Sequence, residues 1–315
     1  MGFSVVGKNI PRKNDPLRAT GAAKYTGDLY LPGMLHGKML RSPYPHARIL
    51  NIKTDKAKSL HGVKCVVTGN DTLGINYGFV CSIPPLMDQY GIAVDKIRYI
   101  GDVVAAVAAI DEDTAAEALD LIDVEYEVLP AVFDPIEAMR PGAPQIHGHV
   151  EKNISVEINR EFGEVDRAFS EADYVREDEF FIQPVEHCPL ETNTVIANYD
   201  ITGKLTVWVS HKQPFFLQRL LERTLGLSET QIRVIKPYLG GDFGEKGELR
   251  SIHFCAALMS MKTGMAVKMS HTREEEFAMS TKRHPSRYIH KEWRQKRWHS
   301  ECRAREGGSG YRRLQ

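Results

Sequence analysis

Nowhere in the chain do about 18 apolar residues run together, so the sequence holds no candidate membrane-spanning helix. The opening, MGFSVVGKNIPRKNDP, has neither the apolar core nor the small-residue cleavage site of a secretory signal, and a cytoplasmic protein is the expectation. Cysteine is scarce. Cys65, Cys81, Cys188, Cys255 and Cys302 stand far apart with no Cys-x-x-Cys spacing, which excludes a zinc or iron–sulfur motif. Their odd number argues against a disulfide framework, and reduced, mostly buried thiols are expected. Net charge is missing as well: 41 Lys and Arg balance 41 Asp and Glu. No global field then selects nucleic acid, an anionic membrane or an acidic partner, and partners must be argued from local sites. No internal repeat is visible.

What is present suits a globular protein of about two domains: 315 residues, 42% hydrophobic and 26% charged. Residues 1–19 are polar, basic and proline-punctuated, and read as an extended arm. A first domain is expected over 20–130, with alternating helices and strands that imply a mixed sheet. Its clearest unit is the apolar strand VVAAVAAI, the helix DEDTAAEALDLI capped by Asp111 or Asp113, and the strand DVEYEVLP. Prolines and polar residues make 131–153 a connector. The second domain, 154–288, reads as a short helix, an alternating strand EDEFFIQ, a hairpin turning at Ile201-Thr202-Gly203-Lys204, and a helix ended by Gly226. A strand QIRVIKPY, a glycine-rich loop and a helix from about Glu248 to Lys262, ended by Gly264, follow. From Ile289 to Gln315 no periodicity is evident, and Trp293 and Trp298 sit among arginines. That tail reads either as a basic nucleic-acid-binding arm or as a segment encoding no packing at all, and the second reading is preferred, so no nucleic-acid partner is expected.

The glycine-rich loop is the richest candidate site. Between a strand and a helix start, Gly240, Gly241 and Gly244 would let backbone amides approach an anion while the helix dipole favours negative charge. Two nucleotide motifs fail on spacing: Glu245 separates Gly244 from Lys246, and Gly240 and Gly241 are adjacent. A glycine turn that merely packs a helix on a sheet is the plainer alternative.

Loop and flanks, RVIKPYLGGDFGEKGE, resemble the Gly-Gly-Gly-Phe-Gly-Gly-Lys segment of the xanthine dehydrogenase and aldehyde oxidase family, whose backbone and phenylalanine face the molybdenum cofactor. Gly240, Gly241, Phe243, Gly244 and Lys246 match, whereas Asp242 and Glu245 replace glycines and should cost binding of an anionic group unless they point away. Further segments are similar in the same order: RATGAAKYTGDLYLPGMLHGKMLRSPYPHARI, IGDVVAAVAAIDEDTAAEALDLIDVEYEVLPAVFDP, VEHCPLETNTVIANYD and HTREEEFAMSTKRHPSRY. The resemblance extends from about Pro11 to Tyr288 and implies a mixed α/β chain, an α/β-hammerhead domain followed by the first part of a molybdopterin-binding domain. In VWVSHKQPFFLQRLL, Lys212 stands where the family has a glutamine near the metal's oxo ligand, with Gln213 one later. Lys212 could donate to the same oxygen, or simply sit at a surface helix entry. His187 and Glu191 could converge on a metal, but a structural role is preferred, with Glu191 holding the loop.

The resemblance implies oxidative hydroxylation of a small molecule (a purine, aldehyde or aromatic compound) with water as oxygen source and molybdopterin as cofactor. Iron–sulfur and FAD subunits are the implied partners, since no motif for either group is present. Cofactor contacts are expected at Gly240, Gly241, Phe243, Gly244 and Lys212. Neither a catalytic base nor a metal ligand can be assigned; Glu248 is the nearest carboxylate and is not read as the base. The family's remaining pterin-binding segments lie beyond the matched region, so the chain alone is expected neither to hold the cofactor stably nor to turn over. The alternatives are a non-catalytic binding or assembly module and a nucleotide-binding enzyme using the loop at Gly240.

Overall fold

The computed structural model describes residues 3–78 and 86–294; Cys81, Cys302, Trp298 and the rest of the tail beyond Arg294 lie outside the described residues. The N-terminal part runs through α1 (Asp15–Ala19), β1 (Leu35–Arg41), β2 (Ala47–Lys53), α2 (Asp55–Ser59), β3 (Val63–Thr68), β4 (Lys96–Ile97), β5 (Val103–Ala109), α3 (Glu112–Asp120) and β6 (Asp123–Val128). The connector carries α4 (Pro135–Ala138). Then come α5 (Val165–Ser170), β7 (Tyr174–Ile182), β8 (Thr194–Tyr199), β9 (Leu205–Val209), α6 (Pro214–Leu225), β10 (Ile232–Ile235), α7 (Ser251–Thr263), β11 (Val267–Ser270), α8 (Arg273–Met279) and β12 (Ser286–Arg294).

The chain is mixed α/β. Seven strands form one sheet in the order β10-β9-β8-β11-β1-β5-β3, beside a three-stranded sheet β4-β2-β6 and the ribbon β12-β7. Strands from both sides of the connector share the large sheet, joined where β1 runs parallel to β11 with Leu35 opposite Val267. β5 shows why its apolar run has no alternation. Ala106 and Ala108 face the core beneath α6 and α7, while Ala105 and Val107 face the core under α2 and α3, so both faces are buried.

Local chemistry sets the helix ends. Asp111 caps α3 by accepting from the Thr114 amide at 2.7 Å. Gly226 and Gly264 end α6 and α7 in left-handed conformation, at φ 71° and 65°. Two expectations need correction. Helix α7 starts at Ser251 rather than near Glu248, because residues 243–248 fold into tight turns. Nor is Ile289 a structural break: β12 continues to Arg294, pairing Trp293 with Val175 and Arg294 with Tyr174. Neither strand of this ribbon buries a continuous face, so the alternation that would announce it is absent.

Candidate cofactor-binding site

β9, β10 and β11 point the same way and β8 runs against them, so the segments after the first three and before the fourth gather at one end of the sheet. β1, parallel to β11, delivers Arg41 to the same end. Such carboxyl ends of strands are where α/β sheets form ligand crevices. Here loop 240–247 meets residues 187–193, 210–213 and 271–283.

Glu191 fixes the loop's entry. Its amide donates to the Gly240 carbonyl at 3.0 Å, and its Oε2 accepts from the Gly240 amide at 2.8 Å. A Cβ on Gly240 would lie 2.6 Å from Glu191 Cβ, so only glycine fits there. Lys246, with no exposed surface, donates from Nζ to the Glu191 carbonyl at 2.6 Å and to its Oε2 at 3.1 Å. The expected structural role of Glu191 is therefore observed, with the motif lysine as its partner.

At the crest the backbone turns left-handed at Gly241 (φ 108°), Phe243 (φ 53°) and Gly244 (φ 112°). Phe243 is 72% exposed. Among the described residues the amides of Gly241, Asp242, Phe243 and Gly244 donate to nothing. Both acidic replacements turn inward. Asp242 Oδ1 accepts from the Lys246 amide at 2.8 Å, and its Oδ2 lies 3.6 Å from Lys212 Nζ. Glu245 is fully buried, with Oε1 accepting from Asn193 Nδ2 at 2.5 Å.

Lys212 lies at the loop's edge. Its amide donates to the Lys246 carbonyl at 2.8 Å, and its Cε would lie 2.6 Å from a Cβ on Gly247. His211, which sequence reasoning missed, positions that turn: the Gln213 amide donates to its Nδ1 at 3.1 Å, leaving Nε2 to donate to the Glu248 carbonyl at 3.1 Å. Burial pushes this imidazole down to about 4, so it is neutral. Glu248 itself lines a cavity of about 290 Å³ with Arg41, Tyr99, Arg250, His271 and Lys282. Cys188 is exposed at φ 49° and makes no metal cluster with its neighbours; among the described residues no group of three or more His, Cys, Asp or Glu could hold a metal ion.

Since α7 begins only after Arg250, its dipole does not serve the loop, and the strand–loop–helix arrangement of nucleotide sites is absent. The donors that the loop offers are its backbone amides rather than a helix terminus. Among the described residues no helix is long and apolar enough to cross a membrane.

Two family models match the chain: the aldehyde oxidase and xanthine dehydrogenase a/b hammerhead domain over residues 20–130, and the molybdopterin cofactor-binding domain over 146–291. A probable xanthine dehydrogenase subunit of Bacillus subtilis (strain 168) is 39% identical over 272 residues, 85% of this chain and 35% of the relative. The nicotinate dehydrogenase large molybdopterin subunit of Eubacterium barkeri is 35% identical over 90% of this chain and 65% of its own length. Among solved structures, quinoline 2-oxidoreductase from Pseudomonas putida 86 superposes with TM-score 0.83 at 30% identity, covering 92% of this chain and 37% of that one. The reconstituted CO dehydrogenase from Oligotropha carboxidovorans gives the same TM-score, 0.83, at 31% identity, over 92% and 38% of the two chains. The chain thus spans about a third of the length of the first relative and about two thirds of the second. With both models matched in order and the motif loop lying at the carboxyl ends of β9, β10 and β11, the chain belongs to the xanthine dehydrogenase and aldehyde oxidase family of molybdopterin-binding subunits.

Proposed function

We propose that loop 240–247 faces molybdopterin in a molybdenum hydroxylase, with Gly240, Gly241, Phe243, Gly244 and Lys212 as this chain's contacts to it. One observation carries the reading: among the described residues four consecutive amides at the crest donate to nothing, while Glu245 is buried and Asp242 is tied to the Lys246 amide and to Lys212. An anionic group meeting the crest would find donors, with the Glu245 carboxyl sealed behind them and the partly exposed Asp242 carboxylate held by the Lys246 amide and offset by Lys212. Gly240 contributes close packing rather than a donor, because its amide is taken by Glu191. Phe243 would cover the bound group and exclude water, and Lys212 would add a cation steadied by Asp242.

When bound, the cofactor supplies a metal that activates an oxygen derived from water and accepts electrons from a purine, aldehyde or aromatic substrate. Electrons must then leave, and the chain has no Cys-x-x-Cys spacing for a cluster. Iron–sulfur and FAD subunits are accordingly the proposed partners, in keeping with a relative that is itself named a large subunit. The same reading takes 20–130 as the hammerhead unit and 154–288 as part of the cofactor unit, joined by 131–153.

Anaerobic titration of the 315-residue chain with molybdopterin, followed by pterin fluorescence, tests the proposal. Because the family's remaining pterin-binding segments lie beyond the matched region, binding is expected to be weak and reversible but saturable, and weaker again by at least about tenfold in Gly241→Val, where φ of 108° and a Cβ 3.2 Å from Pro189 Cβ distort the crest. No saturable signal, or one unchanged in the variant, would overturn the reading.

A further inference from the structure

Position 245 holds a glutamate where the family's motif has glycine, and its carboxyl group is sealed behind the loop with no exposed surface. The Asn193 amide reaches two carboxyl groups at once, donating to Glu245 Oε1 at 2.5 Å and to Glu276 Oε1 at 2.9 Å. Glu276 is richly supplied with donors. Its Oε2 also accepts from the Asn193 backbone amide at 3.1 Å and pairs with His271 Nδ1 at 3.1 Å. Glu245 Oε2, by contrast, is buried and meets no donor, although Glu276 lies within hydrogen-bonding reach of Glu245.

Charge counting points the same way. Arg250 on the loop's far side lies 3.6 Å from Glu245 Oε1, but its guanidinium is also spent on the carbonyls of Met279 and Glu245 and on Thr281 Oγ1. His271, before α8, is held neutral by burial despite its Glu276 bond, and beyond it Arg41 is paired with Glu275 at 3.3 Å. Lys246 is turned to Glu191. One cation thus faces two buried carboxyl groups, and two negative charges at that separation cannot both be sustained in a dry site.

We propose that Glu245 and Glu276 hold one proton between them, carried on Glu245, and that this carboxyl–carboxylate bond clasps loop 240–247 to helix α8. The clasp converts a misplaced side chain in the motif into an anchor: the carboxyl that would repel an anionic ligand at the crest is neutral and tied down behind it. Only the purpose of the loop depends on the cofactor reading; the proton does not.

The sign of the pH effect follows. Burial first, then repulsion by Glu276, pushes Glu245 from 4.5 up to about 7, against the pull of Arg250. Its stabilising proton is fully present below pH 4.5 and is lost as pH rises to about 7. Burial would raise Glu276 as well, but the bonds from His271 and Asn193 prevail and take it down to about 2, so it adds no slope in that window. His211 and His147, pushed down to about 4 by burial, work in the opposite direction there, so the readout is a difference between wild type and variant.

Infrared spectra of the full 315-residue chain at about pH 6, on an Asp102→Asn background because burial also raises Asp102 to about 7, should show the carbonyl band of an un-ionised carboxyl that Glu245→Gln removes. In denaturant unfolding, the wild-type folding constant should fall at least about tenfold more than that of Glu245→Gln as pH rises from 4.5 to 7. Should Glu245→Gln fail to fold, Glu276→Gln, which removes the repelling charge, should ionise Glu245 and remove the same band. A band that is absent from the parent chain or survives these substitutions, or parallel stability profiles, overturns the clasp. Neither measurement uses molybdopterin: a proton without pterin binding sinks only the cofactor reading, and pterin binding without a proton sinks only the clasp.

Discussion

Lys246 carries its ammonium into a space with no exposed surface, where a carbonyl and a carboxylate of the same residue, Glu191, receive it. Although it matches the family's motif lysine, it does not reach out toward a ligand; it ties the loop's exit to the segment that fixes the loop's entry at Gly240. Lys246→Met should therefore leave the Glu191 carboxylate short of its counter-charge and cost about 3–5 kcal/mol in denaturant unfolding at neutral pH. A loss under about 1 kcal/mol, the range of exposed pairs, would show that water replaces the ammonium without penalty.

Helix α6 lays Leu217, Leu220, Leu221 and Leu225 onto the large sheet, beside α7, whose residues 252–260 are buried around the whole circumference. Leu221→Ala would open a cavity in the middle of that layer, with an expected loss of about 2–5 kcal/mol by thermal or denaturant unfolding. These elements were legible because local signals agree: Pro214 at the start, the 3.6-residue apolar stripe, and Gly226 at the left-handed end. The strand–helix–strand unit from β5 to β6 was legible for the same reason, with Asp111 as the capping signal. β12 was not, since its alternation has no buried face to mark it. In the site, the Glu191 strut could be foreseen from the motif segments, whereas the Asn193–Glu245–Glu276 cluster could not. Its members stand 52 and 83 positions apart, and nothing local to any of them announces the others.

At the scale of the whole molecule, the sequence boundary at 131–153 does not divide the sheet, because β1 pairs with β11, which follows the connector, and β5 and β3 extend the same sheet from β1. Residues 20–130 expressed alone would present the β11-facing edge of β1 unpaired and uncover Leu35 and Met39, which belong to the core shared with α7. That piece should show poorly dispersed amide resonances and concentration-dependent association, while the full chain gives one cooperative unfolding transition by every probe; a well-dispersed monomeric spectrum would show that the first unit is self-sufficient. The parallel seam between Leu35 and Val267 also sets a timetable during synthesis. On the ribosome the early strands must wait for nearly the entire matched region to be translated before their neighbour emerges, so nascent β1 is a natural client for a chaperone, and the end of the sheet that carries the loop is assembled last.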